Sequence, residues 1–374
     1  MACTEKPRVV IDARPTMGGV ERYAFELARL AKNGHCLDRV ILYGREDSTR
    51  YRPVSPRREV RRPLHQALGA AKRILVDQLM LPLAACRNHA DLIHSPNYLV
   101  PLCTRKPVVV TCHDLSLLDH FPTKPAGPMR YYERAVMQSG LQRAAHIIAP
   151  SRAVAAELRQ RLGLPADRVS VLYPPLPSFC FDITSGEPWP DRLQVRPPFF
   201  LSVGTIEPRK NLHRLLLGWR RAYSRCRVPL LLVGPYGWGE RTLLDGQLAV
   251  TDGLRWLGCV DDSTLAALYR QATAVVQFSL AEGFDYPVAE ALCTGTPVVL
   301  SDIEVHREVA ADCGLFAPPA DPDALADRLV EVCSWPEEQR TDFRLRCGRQ
   351  AGLLRQFSRI EPYLNLYARI LTAG

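Results

Sequence analysis

Two carboxylates, Glu282 and Glu290, stand eight residues apart in AEGFDYPVAEALCTGTPVV, residues 281–299. Pro287 suits the first turn of a helix, where its missing N–H leaves no bond unmade. Glu290 then lies near the start of that helix and Glu282 in the loop before it. This is not the i,i+4 spacing that would pair them on one face as an acid and a base. Both can accept hydrogen bonds from the hydroxyls of a ligand such as a sugar. Glu290 can equally do no more than complement the helix dipole.

Three more stretches carry chemistry. In GTIEPRKN, residues 204–211, Gly204 permits a tight turn and Arg209 and Lys210 sit at the entrance to the helix LHRLLLGW, with Asn211 placed to cap it. Two cations at a helix N-terminus suit a diphosphate, although a solvated pair in a loop has the same sequence. In RPTMGGVER, residues 14–22, Gly18 and Gly19 lead into a helix and can bring backbone N–H groups close to a phosphate; this is not G-x-G-x-x-G, and a plain turn fits as well. In TCHDLS, residues 111–116, His113 can bond a sugar hydroxyl with Asp114 orienting it, or can be structural.

These stretches follow apolar runs, as loops follow strands. The first half reads as strands at 8–13, 39–44, 91–95, 107–114, 146–151 and 168–175. The first helix should present Val20, Tyr23, Ala24, Leu27, Leu30 and Ala31 on one face and stop at Asn33-Gly34. Ser151 fits an N-cap for RAVAAELRQRLG. A proline-crowded stretch, 179–197, reads as a linker between an N-terminal domain (1–178) and a C-terminal domain (198–354). The second half restarts the pattern with strands at 199–205, 229–235, 254–260, 273–279, 297–302 and 314–319. Helices are expected at 261–272, 321–333, 336–354 and 358–372. Apolar strands alternating with amphipathic helices predict α/β architecture: two parallel-sheet, Rossmann-like domains facing a cleft. In such sheets ligands lie beyond the carboxyl ends of the strands, where these motifs fall.

The totals narrow the field. The chain has 374 residues, 47% hydrophobic and 23% charged, enough for two cores and not the composition of a disordered chain. The apolar segment ILVDQLMLPLAAC is interrupted by Asp77, Gln78 and Pro82 and falls short of the roughly 20 residues of a membrane span. The N-terminus runs directly into a strand without a signal-peptide pattern, and the expected location is cytoplasmic. Twelve cysteines without a Cys-x-x-Cys read as reduced core residues, and no metal site is expected. The net charge of +9 is uneven: residues 1–190 hold 27 basic and 17 acidic residues, and residues 191–374 hold 21 and 22. The densest basic stretch, 50–73, is either a solvated loop or a surface for an anionic partner. No helix-turn-helix or aromatic-basic stacking pattern supports nucleic-acid binding.

Together, GGVERYAFELARL, HDLS…FP, GTIEPRKNL and EGFDYPVAEALCTGTPVV resemble the GT-B glycosyltransferases of family 4, over roughly residues 8–370. Within that family, GTIEPRKNL with HDLS is similar to enzymes that use GDP-mannose or related donors on bacterial surface polysaccharides. The resemblance implies a retaining sugar transfer from a nucleotide sugar to a glycan or lipid-linked acceptor, with no essential metal or other cofactor. It implies that Arg209 and Lys210 hold the diphosphate and that Glu282 faces the donor sugar. Glu290 would take the ribose hydroxyls, Gly18 and Gly19 would admit the donor, and His113 would contact the sugar. Gly204, Thr205, Gly283 and the backbone of Phe284, Asp285 and Tyr286 would complete the donor site. The last helix, 355–374, would return to the N-terminal domain.

Two departures stand out. Thr205 occupies a place where many members carry Arg, which gives Arg209 more of the phosphate charge to carry. The commoner EGFGLP reads EGFDYP here, a difference that bears on the donor sugar, and UDP- or dTDP-sugars stay open. A nucleotide-sugar hydrolase or epimerase on the same fold would need a base, for which Asp114 and Glu282 are the candidates. The basic stretch 50–73 would suit an anionic membrane surface, placing the protein at the inner face of the membrane.

Overall fold

The computed structural model describes residues 7–14, 19–34, 40–43, 74–98, 100–115, 118, 128–182, 195–237, 244–246 and 252–372. Gly18, Ser116, the basic stretch 50–73 and residues 183–194 of the expected linker lie outside the described residues. The chain forms two compact units. The first holds the described residues up to 175 and those from 358 onward, and the second holds those from 176 to 357.

The first unit is built on six parallel strands: β1 (Val9–Asp12), β2 (Val40–Tyr43), β3 (Leu92–Ser95), β4 (Val108–Thr111), β5 (His146–Ala149) and β6 (Val169–Val171). They lie in the order β2-β1-β3-β4-β5-β6. The two middle strands, β3 and β4, are buried along their whole length, as strands covered on both faces must be, and the valine run of β4 reflects it. Helix α1 (Gly19–Asn33) buries Tyr23, Ala24, Leu27 and Ala31 as its periodicity predicts. Val20 and Leu30 are only partly buried, however, while Glu21, Arg22, Phe25 and Glu26 are buried. The outward-reading face of α1 is therefore covered. Glu26 is paired within the helix: its Oε2 accepts from Arg29 at 2.6 Å, and Arg22 lies 3.6 Å from Glu26.

The interrupted apolar segment is helical. A π turn at Val76–Met80 leads into α2 (Leu81–Arg87), and no helix among the described residues is long and apolar enough to cross a membrane. Helices α3 (Pro128–Arg143) and α4 (Arg152–Leu162) follow, and Ser151 caps α4 by accepting from Val154 N at 3.2 Å, as expected.

The second unit has strands β7 (Phe200–Val203), β8 (Leu230–Val233), β9 (Leu254–Gly258), β10 (Ala274–Gln277), β11 (Val298–Ser301) and β12 (Gly314–Ala317), ordered β12-β11-β10-β7-β8-β9 and all parallel. The chain builds outward from β7 in one direction, then returns to its other side with β10. The helices are α5 (Leu212–Cys226), α6 (Asp262–Gln271), α7 (Tyr286–Cys293), α8 (Glu304–Ala310), α9 (Pro322–Cys333) and α10 (Glu337–Gln356). Asp261 and Asp321 cap α6 and α9 through their carboxylates. Trp219 of α5 is buried and donates its indole N–H to Val228 O at 3.1 Å, which lets a large aromatic enter the core without losing a hydrogen bond. At the end of α10, Arg355 donates to Cys180 O at 2.6 Å and Cys293 O at 3.0 Å.

The last helix, α11 (Glu361–Thr372), belongs to the first unit, in agreement with the expected return. Tyr367 OH lies 2.7 Å from His94 Nδ1 on β3, and His94 Nε2 lies 2.9 Å from Thr111 Oγ1 on β4, which in turn meets Tyr23 OH at 2.9 Å. Burial, with the nearby His113, drops the His94 pKa to about 3, so the ring is a neutral link between two hydroxyls. The expectation for the cysteines needs correction. All ten described cysteines are free thiols, but only Cys112, Cys180, Cys293, Cys313 and Cys347 are buried, and Cys86 and Cys103 are exposed.

One backbone contact governs the end of the central strands. Gly234, after β8, has φ 133°, and a Cβ built there would stand 2.1 Å from Gly204 O, after β7. Gly234→Ala should destabilise the second unit by about 3 kcal/mol, because overpacking against main chain and an unfavourable φ act together. Urea unfolding followed by tryptophan fluorescence would measure it.

Candidate active site

The reversal of strand order in the second unit sets β7 and β10 side by side, paired at Ala274–Phe200 and Val275–Leu201. The loops that leave their carboxyl ends diverge to opposite directions of the sheet, and a crevice at such a switch point is where α/β proteins bind ligands. These are the two loops that carry GTIEPRKN and AEGFDYP.

The loops are stitched together. Gln277 Nε2 donates to Val203 O at 2.5 Å, and Leu280 N donates to Arg209 O at 2.8 Å. Asn211 does not cap α5 with its side chain, contrary to expectation. It occupies the N-cap position at φ 55°, a left-handed conformation that Asn tolerates, and turns its amide inward. Nδ2 donates to Phe278 O at 3.1 Å and to Pro319 O at 2.8 Å, tying the loop after β7 to those after β10 and β12. Arg209 and Lys210 sit in the 3₁₀ turn Pro208–Lys210 that opens into α5.

The cations are engaged with carboxylates. Arg209 donates to Glu207 Oε1 at 2.7 Å, to Glu282 Oε2 at 2.5 Å and to Ala281 O at 2.8 Å. Lys210 Nζ lies 2.6 Å from Glu282 Oε1 and 3.8 Å from Asp285 Oδ1. Burial alone would push the Glu282 carboxyl up, but Arg209 and Lys210 beside it outweigh that and hold it well below the usual carboxylate range. For Lys210 the opposition is the same with reversed signs. Burial disfavours the ammonium, but Asp285 and Glu282 together raise its pKa. Glu282 is thus a fixed anion, an acceptor with no proton to give. Gly204 makes room for the lysine stem: a Cβ there would come within 3.1 Å of Lys210 Cε. Thr205, next in the loop, is partly exposed.

Gly283, Phe284, Asp285 and Tyr286 are all buried, and the rings of Phe284 and Tyr286 meet edge to face at 5.7 Å. Their side chains turn inward. Asp285 stands at the N-cap position of α7 with φ 62°, and Pro287 opens the helix as predicted. Asp285 Oδ2 lies 2.9 Å from His306 Nε2 of α8. Glu290 is buried on α7, and its Oε2 accepts from Tyr269 OH of α6 at 2.7 Å. Burial, then the adjacent Glu290, pushes the Tyr269 phenol well up, so it remains a donor. Glu290 does more than complement the dipole: it is anchored to a second helix.

The other candidates lie in the first unit. Gly19 begins α1 and is exposed. His113 follows β4, with its ring edge-to-face on Tyr23 at 4.9 Å. The hydrogen bond that fixes this ring runs to Pro96 O at 2.9 Å, not to the expected Asp114 carboxylate. A carbonyl only accepts, so Nε2 carries the proton and Nδ1 is the acceptor. Burial lowers the His113 pKa to about 4 despite the neighbouring Asp114.

Sequence reasoning missed Glu207, Tyr269 and His306. Glu207 lay within a quoted motif. Tyr269 and His306 come from helices with no local signal, and only the fold brings them to the loops.

Comparison with known proteins identifies the family and the fold. Residues 17–177 match the family model Glycosyltransferase Family 4, and residues 187–350 match Glycosyl transferases group 1. The chain is 30% identical over 345 residues to O-antigen chain mannosyltransferase B of Escherichia coli, an alignment covering 85% of this chain and 88% of that protein. It is 24% identical over 249 residues to O-antigen chain mannosyltransferase RfbU of Salmonella typhimurium, covering 66% of each. Among solved structures, Anabaena Alr3699/HepE in complex with UDP and glucose superposes with a TM-score of 0.69 at 18% identity, covering 99% of this chain and 100% of that one. WaaG, a glycosyltransferase involved in lipopolysaccharide biosynthesis, superposes with a TM-score of 0.67 at 14% identity, covering 96% and 99%. At these identities the structural likeness speaks to fold, and the sequence matches speak to family. The chain belongs to the family 4, group 1 glycosyltransferases.

Proposed function

We propose that this glycosyltransferase moves mannose from GDP-mannose, with retention of anomeric configuration, to a hydroxyl of a glycan or lipid-linked acceptor in the synthesis of bacterial surface polysaccharide. The observation that carries the reading is the partly buried cluster of Arg209, Lys210 and Glu282 at the strand-order reversal. The similarity to the E. coli O-antigen mannosyltransferase supports the choice of sugar.

The chemistry follows from the charges. The bond between the anomeric carbon and the donor phosphate oxygen breaks, the electron pair leaves with the diphosphate, and the sugar becomes oxocarbenium-like. Arg209 and Lys210 stabilise that leaving charge, which is the largest contribution a preorganised site can make. Their charge does this without an essential divalent ion. The acceptor oxygen forms the new bond from the same face, and its proton passes to the departing phosphate oxygen. Glu282, held ionised, accepts from donor-sugar hydroxyls. Glu290, fixed by Tyr269, accepts from the ribose. Gly204, Thr205, Gly283 and the main chain of Phe284, Asp285 and Tyr286 border the donor. In the first unit, His113 offers a hydrogen-bond acceptor at Nδ1, not an acid.

Calorimetric titration with GDP, UDP and dTDP, each with and without magnesium, should show tight binding of GDP alone and no magnesium effect. Preference for UDP or dTDP would discard the mannose assignment and keep the transferase. Lys210→Ala should lower kcat by about 10²–10³-fold, the usual loss when one stabilising donor is removed. An α-linked product from the α-linked donor, read by NMR, would accompany this; an inverted product would overturn the same-face account. Because His113 is neutral above a pKa of about 4, the rate should show no histidine limb between pH 6 and 8 from this group. A limb in that range that disappears in His113→Asn would contradict its role as an acceptor.

A further inference from the structure

Asp285 and His306 are both fully buried side chains, 2.9 Å apart, and their surroundings allow their protons to be counted. Ser301, at the end of β11, has one hydroxyl proton and donates it to Ser279 O at 2.6 Å. His306 Nδ1 lies 2.9 Å from Ser301 O and 3.1 Å from Ser301 Oγ. The carbonyl can only accept, and the hydroxyl proton is already committed, so Nδ1 must be the donor. On the other side of the ring, the contact between Nε2 and Asp285 Oδ2 also needs a proton, since two bare lone pairs would repel. A neutral imidazole has a single N–H. The pair therefore holds one proton more than a neutral histidine beside an ionised aspartate, whichever of the two atoms carries it, and its net charge is zero.

This count matters to the adjacent cations. Arg209 and Lys210 are balanced by Glu207 and Glu282. Asp285 Oδ1 makes no hydrogen bond among the described residues and lies 3.8 Å from Lys210 Nζ. An unshared charge on Asp285 would leave the cluster with an excess negative charge where a diphosphate is to be bound. On α8 itself, Glu304 and Arg307 are exposed, and Arg307 is paired with Asp302 at 2.5 Å, so neither supplies the missing compensation. On α7, Glu290 faces Tyr269.

We propose that His306 is a positioning residue that shares a proton with Asp285, cancels its charge and fixes it at the start of α7, leaving Lys210 to serve an anionic donor. The part concerning the donor rests on the nucleotide-sugar reading above; the shared proton does not.

The test has two arms on the full-length protein. Nitrogen-15 NMR of labelled histidine, assigned with His306→Asn, together with the Asp285 carboxyl carbon shift, reads the proton without any ligand. A protonated Nδ1 with the second proton on Nε2 or on Asp285 is expected. A ring with a single proton, on either nitrogen, beside an ionised Asp285 carboxylate would overturn the proposal. In the second arm, calorimetry with GDP should find binding weakened by about tenfold in His306→Leu, with most of the loss regained in Asp285→Asn/His306→Leu, as for a charge whose partner is removed and which is then itself removed. Loss without recovery, in variants that stay folded by circular dichroism, would reduce His306 to packing and overturn the charge role. Absence of GDP binding in the unaltered protein would count against the donor reading, and the NMR arm would still decide the shared proton.

Discussion

A buried ammonium is stable only where anions are fixed around it. Lys210, with a side chain 16% exposed, sits against the Glu282 carboxylate at 2.6 Å, with the Asp285 carboxyl, neutral as a pair with His306, 3.8 Å away, and much of the second unit exists to hold that arrangement. The lysine comes from the loop after β7 and both carboxylates come from the loop after β10. The two loops are neighbours only because the chain turns back to the other side of β7 after building β8 and β9. Gly204 leaves space for the lysine stem, Asn211 ties the loop ends to each other, and Gln277 bonds one strand end to the next. Each of these is a short-range choice that serves a long-range charge balance.

Glu282 is the residue at which the cations meet. It binds Arg209 through one oxygen and Lys210 through the other, so the site is preassembled with little charge left over. On the function proposed above, an entering diphosphate would meet donors already held in place, without first ordering two long flexible side chains. That spares the side-chain entropy that free cations would lose on binding.

Much of this was legible in the sequence because the physics is local. Runs such as PVVVTCHD announce strands buried on both faces, and β4 lies inside that run, trimmed at both ends where the chain enters loops. Ser151 and Pro287 mark helix starts through hydrogen bonds and ring geometry that involve only their near neighbours. What failed needed tertiary information. Glu21, Arg22 and Glu26 lie off the apolar face that the periodicity of α1 marks, yet are buried. Asn211 looked like a cap, but distant carbonyls at Phe278 and Pro319 compete for its amide and win. His113 was assigned the adjacent Asp114 as partner and instead bonds Pro96, seventeen residues earlier. His306 had no signal at all, because its meaning depends on where Asp285 and Ser301 are placed by other strands.

The bond between His94 and Tyr367 spans 273 residues. The first unit is therefore built from two separate stretches of sequence, with the second unit's residues 176–357 made in between. During synthesis β3 and β4 emerge early, but the buried His94 imidazole has no phenol to meet until α11 leaves the ribosome. The first unit is thus completed only after the second has been made, and its interior polar thread stays open throughout translation of residues 176–357. Damage to α11 would fall on the unit that was begun first.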